Sequence, residues 1–390
     1  MTTPDFLIIG GGVIGLCVAR ELRRRNPGTR VLVIDKESRL GAHASGRNSG
    51  VLHAGFYYTP DSLKARFTRV GNERMTEYCL ERKLPIRRCG KLVVARSDEE
   101  LPRLEELMQR GIANGVTLQW ISAADAREIE PRAKVHERAI WSPSTSTVDP
   151  HAVMDALQRD ALDEGIEIRF DTVFRKRDFD AGFVVNAAGL YADAVARDFG
   201  FSASYRILPF KGRYLYSSEP PGALRTHIYP VPDPRFPFLG VHFTIAVDGS
   251  LKIGPTAAPA LWREQYGAFS NFRAGEAIAI AMYGASLIAT DPSLRRHAIA
   301  ELRKTRRGII AQAASLAEGV RETDYVKWGQ PGIRAQLFDT KRRALEMDFV
   351  IEGDARSLHV LNAVSPGFTC AMPFADHVVD LITASTTRPT

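Results

Sequence analysis

Gly10, Gly12 and Gly15, with Asp35 twenty residues beyond the last of them, are the first residues whose types and spacing point to chemistry. Together they form the pattern that holds a dinucleotide. The first glycine permits a tight strand-to-helix turn, the second lets backbone approach a pyrophosphate, and the third lets helix and strand pack closely. The phosphates then lie at a helix N-terminus, where free N–H groups and the helix dipole favour negative charge. Asp35 is placed to accept hydrogen bonds from a ribose hydroxyl.

The neighbouring residues supply the elements this chemistry needs. Residues 6–9 form an apolar run that reads as a buried strand, and helical spacing follows to about Arg25. Pro27 and Gly28 turn the chain, and residues 30–34 are a second apolar, β-branched strand. A glycine triplet alone is a weak signal, whereas strand, glycines, helix, strand and acid in order make a strong one. After Asp35 comes SRLGAHASGRNSGVLHAGFYYTPDSLKARF, rich in Gly, Ser, His and Tyr and without helical periodicity until Ser62. Loops of this length in compact domains are usually functional.

Periodicity further along predicts helices over 62–83, 98–114 and 148–163, and a short one opened by Ser122 and stopped by Pro131. Strands are expected at 91–95, 166–170 and 183–187, the last two returning to the nucleotide domain. Residues 206–217, 227–229, 239–246 and 250–253 predict a second, largely antiparallel sheet, with helices 276–289 and 293–317 over it. Strands 349–351 and 358–361, an SPGFT turn and a helix over 371–383 finish the chain. The expected fold class is α/β: a discontinuous Rossmann-like dinucleotide-binding domain (1–75, 146–205 and 325–390) with a second α+β substrate domain on a mainly antiparallel sheet (76–145 and 206–324).

Composition narrows the function classes. At 390 residues, 45% hydrophobic and 25% charged, the chain has the balance of a globular protein of two domains. No apolar run approaches the ~20 residues of a membrane span, and no signal-peptide pattern precedes the first strand, so a cytoplasmic location is expected. Cys17, Cys79, Cys89 and Cys370 are scattered, with no metal-ligand spacing, which argues against zinc or a disulfide framework. The net charge of +7 comes largely from short runs near residues 23–25, 87–88 and 295–307. Solvated helix faces explain these better than nucleic acid, for which no motif is present.

With the fingerprint, the loop after it, NAAG (186–189) and SPGFT (365–369) in view, the chain resembles the D-amino-acid-oxidase superfamily of FAD-dependent oxidoreductases. NSGVLHAGFYY (48–58), YPVPDPRFPFLGVHFT (229–244), GQPGIRAQLFD (329–339) and MDFVIEGDARSLHVLNAVSP (347–366) narrow the likeness to L-2-hydroxyglutarate dehydrogenases and oxidases. Ile245, where these relatives commonly carry a basic residue, and Lys252 and Thr256, where they carry a hydrophobic or aromatic residue and Asn, depart from the pattern.

The resemblance implies FAD, held by Gly10, Gly12 and Gly15 at the pyrophosphate and by Asp35, with Lys36 beside it, at the ribose. It implies that His43, Ser45, Asn48, Ser49 and Gly50 line the ring system, that Ala188 and Gly189 allow close approach, and that the main chain at Val173 clamps the adenine. Gly332 and, in the final turn, Gly367, Phe368 and Thr369 are expected at the flavin. Cys370 is read as a small core residue rather than a covalent tether. Oxidation of a 2-hydroxy acid needs a base for the hydroxyl proton and a cation for the carboxylate. His53 is the candidate base and His242 its rival. Arg334 is the candidate carboxylate clamp, because a planar guanidinium binds carboxylate bidentately. Tyr57, Tyr58, Lys211, Arg213, Lys252 and Gln336 are further candidates, with Lys211 or Lys252 offered to a distal carboxylate and a lysine near the flavin to reaction with dioxygen. The implied activity is oxidation of L-2-hydroxyglutarate, with a membrane quinone or dioxygen as electron acceptor and a weak peripheral membrane association compatible with it. An amino-acid or secondary-amine oxidase on the same fold, a nicotinamide-dependent dehydrogenase and a flavin-bearing binding module are the rival readings.

Overall fold

The computed structural model describes residues 3–233 and 238–386. Four-residue runs such as Phe6–Ile9 and Val31–Ile34, apolar at every position, are strands covered on both faces, as in parallel sheets under helices. They lie in a six-stranded sheet ordered Val350–Gly353, Ser357–Asn362, Phe183–Asn186, Phe6–Ile9, Val31–Ile34, Glu167–Arg169. All neighbours are parallel except the edge strand Val350–Gly353. Phe6–Ile9 is central, so the glycine turn leaves at the carboxyl ends of the strands, where ligands bind in open α/β sheets. The helices Val13–Arg25, Leu63–Glu81 and Gly367–Thr386 pack together beside this sheet around Leu16, Met75, Phe374 and Val378, all fully buried.

The second body contains an eight-stranded sheet, Lys327–Trp328, Leu215–Tyr216, Leu251–Gly254, His242–Ile245, His227–Pro230, Lys91–Val94, Arg138–Ser142 and Gln119–Ser122. Every pair in it is antiparallel except Lys91–Val94 with His227–Pro230. A four-stranded sheet stands beside it, ordered Ala258–Pro259, Tyr205–Gly212, Gly332–Asp339 and Ala344–Leu345. The helices Ala274–Thr290 and Pro292–Arg303 cover this smaller sheet through Ile280, Leu287 and Leu294.

Several expected elements differ in extent. The strand predicted over 206–217 is two strands in different sheets, Tyr205–Gly212 and Leu215–Tyr216. Thr256 diverts the chain between them: its N–H donates to the Arg213 carbonyl and its Oγ1 accepts the Arg213 N–H. The helix predicted over 293–317 is likewise two, Pro292–Arg303 and Arg306–Ala314, because Thr305 caps a new helix by accepting the Gly308 N–H. Asp149 starts Pro150–Asp163 two residues late by the same means, and Val148 ends a strand instead. The strand predicted over 239–246 is confined to His242–Ile245, and the last helix begins at Gly367 rather than 371. Gly332–Asp339, not anticipated as a strand, pairs with Tyr205–Gly212 over eight residues. Residues of 325–345, assigned from sequence to the nucleotide domain, therefore pair in the two other sheets. In the motif spanning 229–244, residues 234–237 lie outside the described residues.

Candidate active site

The site is built at the first strand-to-helix turn. Gly10 has φ 103°, and a Cβ there would stand 2.6 Å from the Ala187 carbonyl oxygen. A Cβ at Gly15 would overlap the Gly10 carbonyl oxygen itself. Both positions therefore demand glycine. We predict that Gly15→Ala leaves the protein with little bound flavin, because the helix must back away from the turn. A Gly15→Ala protein that keeps full 450-nm absorbance after gel filtration would contradict this.

No side chain of the Gly12 cap closes the N-terminus of Val13–Arg25. The Gly11 N–H donates to Asp35 Oδ2 at 2.8 Å and the Val13 N–H to Ser45 Oγ at 2.9 Å. Where a Cβ of Gly12 would stand, Ser45 Oγ is the sole neighbour within 4 Å. The turn is thus a cradle of backbone amides open to an anion. It forms one wall of a cavity of about 2030 Å³ that continues past the strand ends to the second body. Drug-sized ligands occupy pockets of roughly 300–1,000 Å³, so a dinucleotide and a small substrate fit together.

The predicted cofactor residues mostly line this cavity. Asp35, Lys36, His43 and Val173 stand on it, as do Ala188 and Gly189, whose missing Cβ leaves open space. Much of the polar capacity there is already engaged. Asp35 Oδ1 accepts the Glu37 N–H, Lys36 pairs with Glu264 at 2.7 Å, and His43 bonds Glu37 and the Tyr266 hydroxyl. Glu37, His43 and Glu264 also approach closely enough to hold an ion, but these partners and the Tyr191 hydroxyl engage them already. Asn48 shapes its loop, donating to the Ala44 and Ser45 carbonyls and accepting the Gly50 N–H. Ser49 and Gly332 also line the cavity, as do Gly367, Phe368 and Thr369 in the first turn of the last helix. Gly50 does not: it turns at φ 76° against the Val148 carbonyl, so its part is in the loop's path. Cys370 is buried behind this turn, 3.3 Å from Thr68 Oγ1, and burial pushes its thiol up to about 12.

At the other end stand His53, His242, Lys252 and Arg334. The His53 backbone N–H donates to Thr369 Oγ1, tying its loop to the last helix, while among the described residues its ring nitrogens have no hydrogen-bond partner. His242 Nδ1 lies 2.8 Å from the Gly240 carbonyl and must donate to it, leaving Nε2 as an acceptor. Its ring stacks on Tyr229 at 3.8 Å. Burial, reinforced for His53 by Lys91 and His242, holds both imidazoles down at about 3. Arg334 is half-buried over the Phe238 ring, with its buried Nη1 lacking a hydrogen-bond partner among the described residues. Lys252, its ammonium pushed down to about 8 by burial, donates to the Ser49 carbonyl at 3.1 Å. Tyr57, Tyr58 and Gln336 line the cavity, although Gln336 already donates to the Glu346 carbonyl.

Lys211 and Arg213 are not brought to the cavity. Strand alternation sends Lys211 to the face opposite Phe210, whose register partner is Arg334. Arg213 instead lies 4.2 Å over the Trp328 ring. Sequence reasoning missed Lys91, which sits under His53 and Tyr57. The one available signal was a lysine on the same strand face as the core residue Val93.

The buried histidines make stability pH-dependent. His53 and His242, and His359 at about 4, take up protons in the unfolded chain near 6.5 but resist them when folded. Stability therefore rises with pH between about 4 and 6.5 and is lost on acidification, each ring contributing up to about 1.4 kcal/mol per pH unit. Urea midpoints of the flavin-loaded protein should fall between pH 7.5 and pH 5; equal midpoints would refute this.

A dinucleotide cradle joined by one cavity to imidazoles and a guanidinium is the arrangement of a dinucleotide-dependent oxidoreductase. The chain matches the DAO model of FAD dependent oxidoreductases over residues 5–381 and belongs to that family; its cofactor is FAD. It is 35% identical to the mitochondrial L-2-hydroxyglutarate dehydrogenase of Caenorhabditis briggsae, over 95% of this chain and 91% of that protein. To the L-2-hydroxyglutarate dehydrogenase of Escherichia coli K12 it is 32% identical, over 97% and 93%. The fold is also that of the FAD-bound L-alpha-glycerophosphate oxidase of Mycoplasma pneumoniae, at TM-score 0.74 and 22% identity over 98% of this chain and 95% of that one.

Proposed function

We propose that the protein oxidises L-2-hydroxyglutarate to 2-oxoglutarate. FAD, when bound, supplies the hydride acceptor. The observation that carries the substrate class is Arg334, a guanidinium with a buried N–H left free at the cavity among the described residues. A desolvated cation of this kind is completed by a carboxylate, which it fixes through parallel hydrogen bonds. His53 then takes the hydroxyl proton as the Cα hydride leaves and the carbonyl forms; a neutral ring is the form that can do so. Lys252, a second of the cations that line the cavity, meets the distal carboxylate. That second cation favours a dicarboxylate over glycine or sarcosine, the substrates of the amine-oxidising reading. Gln336 and Tyr57 complete the substrate wall.

For the cofactor, the turn of Gly10, Gly12 and Gly15 would hold the pyrophosphate at the N-terminus of Val13–Arg25, and Asp35 and Lys36 the ribose, with Val173 beside the adenine. His43, Ser45, Asn48, Ser49, Ala188, Gly189 and Gly332 surround the ring system. The Gly367–Thr386 helix turns its N-terminus, through Gly367, Phe368 and Thr369, toward the end of the flavin that gains negative charge. Residues 1–75, 146–205 and most of 325–390 form the FAD domain in this reading, and 76–145 and 206–324 the substrate domain.

The test is anaerobic mixing with L-2-hydroxyglutarate, with D-2-hydroxyglutarate, L-lactate, glycerol 3-phosphate and sarcosine in parallel. Rapid bleaching of the flavin by the L-2-hydroxyglutarate sample alone is expected, and bleaching by another compound instead overturns the substrate.

Electrons leave to a membrane quinone or to dioxygen, from a protein of a reducing, cytoplasmic compartment. No helix among the described residues is long and apolar enough to cross a membrane. The exposed face of Ala274–Thr290 and Pro292–Arg303, with Ile278, Met282, Ile299 and Leu302 beside Arg295 and Arg296, suits peripheral contact with an anionic lipid surface. Salt-sensitive sedimentation with phosphatidylglycerol vesicles supports this contact, and no binding at low salt removes it.

A further inference from the structure

Lys91 opens the strand Lys91–Val94 in the middle of the eight-stranded sheet, in register with His227 on one side and Ser142 on the other. It is fully buried, and its Nζ has no hydrogen-bond partner. Among the described residues no carboxylate pairs with it. Nζ instead faces three aromatic rings, Phe56 at 4.4 Å, Tyr57 at 4.6 Å and Tyr229 at 4.8 Å from their centroids. A charged nitrogen without hydrogen bonds is costly to bury, and aromatic faces are the one substitute for its hydration in this box.

The position of the box is what gives it a task. Phe56 and Tyr57 belong to the loop that carries His53, and Tyr229 is the ring on which His242 stacks. Lys91 thus lies one aromatic ring from His242 and packs against the loop that carries His53, whose imidazole feels its charge. We propose that Lys91 is a positioning residue for this pair: its buried charge repels a proton from His53 and His242 and so keeps both rings able to accept the hydroxyl proton. The proposal rests on the hydroxy-acid reading for the histidines' task, while their protonation is a property of the protein itself.

The groups that face the pair are few. His53 meets Lys91 and His242; His242 meets Lys91 from its own sheet, Arg334 from Gly332–Asp339 and Lys252 from the adjacent strand. His227, beside Lys91, feels the same charges, but its ring is committed, accepting the Ile245 N–H at Nδ1 and meeting Thr147 at Nε2. Among the described residues, the charged neighbours that act on the two cavity histidines are therefore cations. Burial draws the Lys91 ammonium down to about 7, and the ring faces oppose this by favouring the charged form.

The test compares wild type, Lys91→Met and Lys91→Arg, each loaded with FAD. The acid limb of kcat/KM reports the base in the free enzyme. In Lys91→Met it should move to higher pH by about one unit, the size of a single charge acting through a partly polar interior, and in Lys91→Arg it should stay near wild type. Histidine ring resonances of protein labelled at His, without substrate, should move in the same way. A Lys91→Met protein that keeps its flavin spectrum and leaves both readouts unmoved overturns the proposal. Should that variant fail to fold, wild-type His53 and His242 rings that protonate near pH 6.5 overturn it alone. Because the resonance experiment needs no substrate, a wrong substrate assignment leaves it intact.

Discussion

Replacing His53 by alanine should lower kcat by about 10²–10⁴, the range of a positioned general base, while the dissociation constant of L-2-hydroxyglutarate changes only a few-fold. The expectation follows from three observations. The His53 ring reaches the cavity, among the described residues it has no hydrogen bond that competes for its lone pair, and desolvation together with the Lys91 charge keeps it neutral. Flavin reduction in single-turnover mixing separates the two quantities, because its rate at saturation reads the chemical step and its half-saturation reads binding. His242→Ala is the paired control. Its ring is held by the Gly240 carbonyl and by stacking on Tyr229, so its loss should weaken substrate binding and disturb the wall more than it slows proton removal. A larger fall in the reduction rate for His242→Ala than for His53→Ala would exchange the two roles.

Arg334→Met should cost binding instead. Removing one partner of a buried, hydrogen-bonded charge pair costs about 2–5 kcal/mol, which corresponds to a loss of roughly 30- to 4,000-fold in kcat/KM, carried mainly by the half-saturation concentration. The methionine keeps much of the contact with Phe238 but leaves the substrate carboxylate desolvated and unpaired. Arg334→Lys should recover only part of the loss, because an ammonium is a point charge without the two parallel donors of a guanidinium. An Arg334→Met protein that binds L-2-hydroxyglutarate as wild type does would remove Arg334 from the substrate site and leave Lys252 and Lys64 as buried cations of the cavity.

The part of this protein that local chemistry dictates was legible in its residues. Gly10, Gly12, Gly15 and Asp35 sit in a contiguous strand-turn-helix-strand unit, so their spacing along the chain is their spacing in space. Val13–Arg25, Leu63–Glu81 and Leu101–Ala113 were likewise expected from helical periodicity, and they form within those predicted ranges, Ser62 capping the second by accepting the Ala65 N–H. His53, His242, Lys252 and Arg334, named from resemblance, do line one cavity.

What no local pattern carries is the partner each residue meets. Thr256 diverts the chain at Arg213, and Thr305 begins a second helix, through side-chain hydrogen bonds that compete with a continuing strand or helix. Arg334 reads as the carboxylate clamp and Lys211 as a further candidate for the distal carboxylate; the pairing of Tyr205–Gly212 with Gly332–Asp339 puts the first at the cavity and turns the second away. Lys91 reads as a surface lysine at the start of an apolar strand. It becomes a buried charge because tertiary packing closes Phe56, Tyr57 and Tyr229, from two distant stretches of chain, around its ammonium. Sequence by itself determined the cofactor cradle, whose geometry is short-range. Tertiary structure decided the electrostatics of the substrate end, because burial and neighbouring charge are properties of what the rest of the chain places there.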